Sequence, residues 1–138
     1  MKKITFLILA VSILTLSGCA VQKIDDAITN YRQVSHQISL GDSKAKVVSI
    51  LDEAQKDVPI KWRKSSETYI KDDVEVEIYY SRTRRQADGL VTDDEFTPYV
   101  FNNSKLVAIG WTSIGGTKSQ GQARSITNVH QSTSVIVR

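Results

Sequence analysis

The chain has 138 residues, 41% of them hydrophobic and 24% charged, which is enough for one small domain and leaves no disordered composition in its middle. Its formal charge of +3 includes Lys2 and Lys3, and the near-balance of the remainder argues against a nucleic-acid partner, which would need a basic face. Cys19 is the single cysteine, so no disulfide forms within the chain and stability must come from packing.

Lys2 and Lys3 precede an apolar run from Ile4 to Leu16, interrupted only by Thr5, Ser12 and Thr15. A bilayer span takes about 20 apolar residues, so residues 1–18 read as a signal peptide instead. The run ends in Leu16-Ser17-Gly18-Cys19, which resembles the lipobox of bacterial lipoproteins. That resemblance implies cleavage before Cys19, with the small residues 17 and 18 extended in a peptidase cleft. It also implies that the Cys19 thiol takes a diacylglyceryl group, followed by palmitate-type acylation. Each buried CH₂ contributes about 0.8 kcal/mol, so two or three acyl chains hold a protein firmly at a membrane. Ala20, standing where an aspartate would retain a lipoprotein elsewhere, is similar to the sorting pattern of the Gram-negative outer membrane. The expectation is a lipid-anchored protein of that membrane, facing the periplasm.

Within residues 19–37, Val21, Ile24, Ile28, Tyr31 and Val34 recur at spacings of three and four, a helical stripe that serves a stalk or a first helix. Gly41-Asp42-Ser43 reads as a turn into a second helix, with Asp42 or Ser43 able to cap it. Val47, Ile50, Leu51 and Ala54 then share one face of a helix over 44–56, which Val58-Pro59 ends. Beyond Ile60 the period becomes two. Lys61 to Tyr69 is expected to be a strand, with Trp62 and Tyr69 as apolar positions. Val74, Val76, Ile78 and Tyr80 alternate with Glu75, Glu77, Tyr79 and Ser81, one face buried and one wet. Residues 99–101 and 106–109 make two further strands, joined by a turn over Asn102-Asn103-Ser104-Lys105. These elements predict an α+β domain over residues 38–112, two N-terminal helices packed on a three- to four-stranded antiparallel meander. Residues 113–138, rich in Gly, Ser, Thr and Gln, read as a flexible tail in which Val135-Ile136-Val137 adds an edge strand or frays.

The stretch from Tyr79 to Phe101 carries three arginines and four acids. A Ca²⁺ loop does not fit, because no Asp or Asn stands two positions beyond Asp88 in the required spacing. A glycosidase-like carboxylate pair needs a separation of about 5–9 Å, of which closeness in sequence says nothing. A hydrolase triad lacks its base, since the two histidines are His36, in a linker, and His130, in the tail. Turn chemistry explains more. Asp88-Gly89 supplies a turn with positive φ, Thr92-Asp93-Asp94-Glu95 caps and solvates the loop, and Pro98 begins the next strand. Arg82 and Arg84 are placed to face Asp94 and Glu95 across the strands as surface ion pairs worth a few tenths of a kcal/mol each.

The Gly41-Asp42-Ser43 turn with Val47 and Leu51, followed by the meander, resembles the outer-membrane lipoprotein fold called SmpA/OmlA or BamE-like. Arg82-Thr83, Ala87-Asp88-Gly89, Thr92-Asp93-Asp94-Glu95, Thr97-Pro98, Phe101, Lys105-Leu106-Val107 and Gly110-Trp111 resemble more specifically an uncharacterised family of small proteobacterial lipoproteins. Phe96 departs from that pattern, which has a cysteine there, and Asn103-Ser104 replaces its Asp/Asn-Gly turn. Asp52-Glu53 departs from the Leu-Gly of the broader helix pattern. The resemblance implies a structural or protein-interaction module of the cell envelope, serving integrity or assembly, with an envelope protein as partner. Its signature residues Arg82, Thr83, Asp88, Gly89, Asp94, Glu95, Pro98 and Trp111 are the candidate interaction residues. The alternative is a protein inhibitor or ligand-binding module, because the same fold resembles units of the β-lactamase inhibitory proteins; Tyr79, Tyr99 and Asp93-Asp94 would then be presented to a target. No enzyme activity, metal or cofactor is expected.

Overall fold

The computed structural model describes residues 2–117, with side chains from residue 18 onward. His130 and the expected strand at 135–137 lie outside the described residues. Helix α1 spans Lys2–Val34 and runs unbroken through Gly18 and Cys19; α2 spans Lys44–Ala54. Strands β1 (Glu67–Lys71), β2 (Val74–Arg82), β3 (Phe96–Asn102) and β4 (Lys105–Ile109) form one sheet in sequence order, antiparallel throughout. The architecture is thus α+β, two helices followed by a four-stranded meander. Among the described residues, no helix is long and apolar enough to cross a membrane.

Local chemistry starts and stops α2. The Ser43 hydroxyl accepts a hydrogen bond from the Lys46 amide (3.3 Å), satisfying one of the free donors of the first turn. The Asp42 carboxylate instead takes the Ser39 amide and the Lys46 ammonium, which together hold its pKa below the ordinary carboxylate value. Val47, Leu51 and Ala54 are buried, as their shared face requires. At the far end the Arg63 guanidinium donates to the carbonyls of Gln55 (2.6 Å), Lys56 (2.9 Å) and Val58 (2.9 Å). A cation on the last carbonyls satisfies acceptors that the helix leaves open and complements its dipole.

Helix α1 is a packed element of the domain. Its stripe buries Ile24, Ala27 and Ile28 against Val58, with Trp62 alongside, and carries Tyr31 to the main core of Ile38, Val47, Leu51, Tyr99, Phe101 and Leu106.

The sheet is buried on both faces. Val76, Ile78, Tyr80, Phe96 and Val100 form a cluster on one side, joined by Trp111 and Ile114 of the 3₁₀ turn Trp111–Ile114. The helices lie on the other side, over Tyr79, Tyr99, Phe101 and Leu106. The expected wet face is therefore the helix-covered one. Its polar side chains are accommodated individually: Lys44 pairs with Glu77, and the Tyr79 hydroxyl donates to Asp52 Oδ1 (2.5 Å) while accepting from Gln55 Nε2 (2.5 Å).

Two further differences concern the region after α2. Pro59 opens a 3₁₀ turn over Ile60–Trp62, closed by Trp62 and Arg63 amides on the Pro59 and Ile60 carbonyls, so the strand expected from Lys61 begins only at Glu67. It then turns at Asp72-Asp73, both at positive φ (51° and 61°), a two-residue hairpin that the sequence reading missed. Asn103-Ser104 repeats that geometry (45° and 63°) and is tighter than the four-residue turn expected there.

The Tyr31 and Tyr99 hydroxyls share a hydrogen bond of 3.0 Å inside this core. Burial first, and then the neighbouring hydroxyl, pushes the Tyr99 pKa well above the ordinary tyrosine value; burial and Asp52 do the same to Tyr79. A raised pKa in the folded state means that the unfolded chain releases these protons first. Their contribution is complete below about pH 10 and is lost as the pH climbs above it. The unfolding free energy from denaturant titrations is expected to hold up to that pH and then fall, with a shallower fall for Tyr99→Phe. Parallel curves for the parent and Tyr99→Phe would contradict this.

Candidate functional site

Between β2 and β3 the chain leaves the sheet at Arg82 and rejoins it at Phe96, and the two ends of this excursion are tied by one carboxylate. Glu95 is 0% exposed. Its Oε1 accepts from Arg82 Nη2 (2.8 Å) and from the Gln86 amide (2.8 Å), and its Oε2 accepts from the Thr92 amide (3.2 Å). The Glu95 carbonyl takes the Thr83 and Arg84 amides (2.9 and 3.0 Å). Thr92 and Glu95 form a capping box around the 3₁₀ turn Asp93–Glu95, the arrangement in which a Thr and an acid three residues on satisfy each other's backbone N–H groups.

Arg82, 1% exposed, ends β2 beneath aromatic rings. Its guanidinium lies 5.1 Å from the Phe96 ring centroid and 5.8 Å from that of Trp62, and its Nη1 donates to the Trp62 carbonyl (2.8 Å). The Arg82 amide donates to Gln55 Oε1 at the end of α2. Burial lowers the Arg82 pKa, and the Glu95 carboxylate opposes that shift. Arg82 and Glu95 are thus a desolvated pair in the interior, where the sequence had suggested weak surface pairing. Arg84 stands beyond the end of β2, and Asp94 bonds to the Gln86 side chain and to Thr92 Oγ1 (2.5 Å) instead of to an arginine.

The remaining signature residues divide into two groups. Thr83 Oγ1 and Thr97 Oγ1 share a hydrogen bond (3.0 Å), and Trp111 Nε1 donates to the Phe96 carbonyl (2.7 Å) while its ring stacks on Tyr80 at 5.7 Å. Pro98 lies inside β3 opposite Tyr80 and turns its carbonyl to the Gly110 amide past the end of β4. Its missing N–H points the same way and therefore costs no bond to β2. These residues, with Arg82 and Glu95, form one connected cluster. Asp88 and Gly89 lie apart at the exposed loop tip, where Asp88 Oδ1 accepts from the Leu90 amide (3.0 Å) and Gly89 has φ 73°. Cys19 is exposed on α1.

Partners outside the signature complete the arrangement. Arg85 reaches α1 through Asp25 (2.9 Å), and Lys64 pairs with Asp93 (2.9 Å) while lying 4.9 Å over the Tyr80 ring. Gln55, Trp62, Lys64 and Asp25 carried no sequence signal that linked them to this loop. Chemically, the Glu95 carboxylate accepts from three donors in the interior, and its geometry serves to fix backbone. Among the described residues, no group of three or more His, Cys, Asp and Glu side chains could hold a metal ion.

Residues 19–115 match the family described as protein of unknown function (DUF3192). The chain belongs to this family. The matched span opens at Cys19 and takes in α2, the whole sheet, the Arg82–Glu95 cluster and the Trp111 turn. No curated protein and no solved structure matches the chain significantly.

Breaking a buried pair leaves an uncompensated charge and costs about 3–5 kcal/mol, whereas exchanging both partners for apolar residues of similar size is often neutral. In this family member Glu95→Ala is expected to destabilise by that amount and Arg82→Met/Glu95→Leu by much less. Urea titrations of the parent, the single variant and the double variant check this. A cost below about 1 kcal/mol for Glu95→Ala, the range of a surface pair, would contradict the buried geometry.

Proposed function

We propose that this family member is an outer-membrane lipoprotein, acylated at Cys19 and facing the periplasm, whose domain acts as a structural or protein-interaction module of the cell envelope. The observation that carries the reading is the sequence Leu16-Ser17-Gly18-Cys19 at the end of an apolar run, directly ahead of a domain whose described buried residues begin at Ile24. The BamE-like resemblance of the helix–meander order supports an envelope role, and an envelope protein is the partner it implies. The module works by binding, without turnover, metal or cofactor; the burial of Glu95 supports this, because a carboxylate that is 0% exposed meets no substrate proton.

No observation favours the inhibitor reading. Tyr99 is 1% exposed and bonded to Tyr31, and the Tyr79 hydroxyl is bonded to Asp52 and Gln55 of the helical layer, so neither offers a free hydroxyl to a target.

The test is expression of the full chain in a Gram-negative host, followed by membrane fractionation, mass spectrometry and crosslinking. The parent is expected in the outer-membrane fraction with acyl mass on Cys19 and crosslinked to an envelope protein, and Cys19→Ala is expected to lose the membrane fraction. An unmodified Cys19, or crosslinks to lipid alone, would overturn the corresponding half of the proposal.

A further inference from the structure

Three segments converge around the first turns of α1 that follow Cys19. Ala20, Val21 and Ile24 of the helix, Lys61 and Trp62 of the turn after Pro59, and Arg85 of the loop line a cavity of about 410 Å³. Its lining combines aliphatic and aromatic side chains with Lys61, Arg82 and Arg85, the two arginines being paired with Glu95 and Asp25. Two N–H groups on lining residues have no acceptor: Trp62 Nε1 and Arg82 Nε are buried without a hydrogen-bond partner. Orphaned donors in a protein interior are costly, and both atoms lie too deep for an oxygen in the cavity to reach.

Ile60, next to Lys61, is 88% exposed, the highest value among the described large hydrophobic residues, and Leu90 and Val91 follow Gly89 on the loop at 46% and 38%. Single exposed aliphatics need no explanation, but these extend the same segments that build the cavity. Lys61 lies 5.5 Å over the Trp62 ring and is in no ion pair among the described residues. Of the acids nearby, Asp25 is neutralised by Arg85, and Asp88 is turned back onto the Leu90 amide. Exposed aliphatics, an amphipathic indole and basic side chains together are the composition that settles at a membrane–water interface.

We propose that this end of the domain docks on the surface of an anionic phospholipid bilayer, with Ile60, Leu90 and Val91 in the headgroup layer and Lys61 beside the lipid phosphates. The placement rests on acylation of Cys19. A helix rises about 1.5 Å per residue, so Ala20 and Val21 lie within one turn of the lipid and hold the cavity mouth at headgroup level.

A chain beginning at Ala20 lacks both the lipid and the apolar run yet keeps every described buried residue, the first of which is Ile24. In cosedimentation with vesicles it is expected to bind phosphatidylglycerol, to release at raised salt, and to ignore pure phosphatidylcholine. Lys61→Glu is expected to weaken binding by at least about fivefold, and Ile60→Asp to weaken it further, with circular dichroism unchanged because both side chains are exposed. Absence of binding to phosphatidylglycerol, equal binding to both lipids, or indifference to the two substitutions would overturn the proposal. Mass spectrometry of Cys19 in the full chain separates the two readings. An unmodified Cys19 removes the anchor while vesicle binding still supports docking, and an acylated Cys19 without vesicle binding by the lipid-free chain removes docking alone.

Discussion

The buried carboxylate of Glu95 is the constraint on which the rest of this structure depends. Strands β2 and β3 are the two interior strands, and no tight turn joins them; a long loop does, and closing it costs chain entropy with nothing in a short turn to set the register. Glu95 supplies that closure. It gathers the guanidinium at the end of β2, two amides of the loop and, through its own carbonyl, the two amides that follow β2. A buried pair of this kind adds little stability beyond apolar residues of the same shape, because desolvation offsets most of the attraction. Its effect is on geometry: the chain leaves and rejoins the sheet in one way.

That geometry propagates to both helices. Arg82 bonds to the Trp62 carbonyl and, through its amide, to Gln55, which fixes the end of α2 and the turn after it against the sheet. Arg63, in the same region, donates to the Gln55 and Lys56 carbonyls just past α2. The loop shaped by Glu95 carries Arg85 to Asp25 and so holds α1. The cavity beside Ala20 and Val21 exists because three segments with no sequence proximity are all referred to one ion pair. The proposed membrane face is in this sense a product of the interior.

Much of the fold was legible because its signals are local. The Gly41-Asp42-Ser43 turn, the face of Val47, Leu51 and Ala54, and the turn at Asn103-Ser104 need only the backbone preferences of a few neighbouring residues. Where the outcome depended on tertiary partners, the reading was incomplete. The stripe of α1 could serve a stalk or a packed helix until Val58 and Trp62 were placed against it. The alternation along β2 identified two faces correctly, but it could not say that the one bearing Glu77 and Tyr79 lies under the helices, since those side chains are buried only with Lys44, Asp52 and Gln55 as partners. Asp72-Asp73 holds no turn-forming glycine, and its role as a hairpin turn depends on the strands that flank it. For the candidate site, the capping pattern Thr92 to Glu95 was visible and the candidate residues were named. The burial of Glu95 and Arg82 was not, because an acid and a base on neighbouring strands look the same in sequence whether they are wet or dry.

The account stands most directly on hydrogen exchange at the Gln86 and Thr92 amides, whose acceptors are the two oxygens of Glu95. These amides lie in a loop outside the strands, so protection there reports the carboxylate alone. The account predicts exchange as slow as that of the amides of β2 and β3, with selective acceleration at both positions in Arg82→Met/Glu95→Leu, which removes both acceptor oxygens, while the α2 amides stay protected. Rapid exchange at Gln86 and Thr92 in the unsubstituted protein would contradict it.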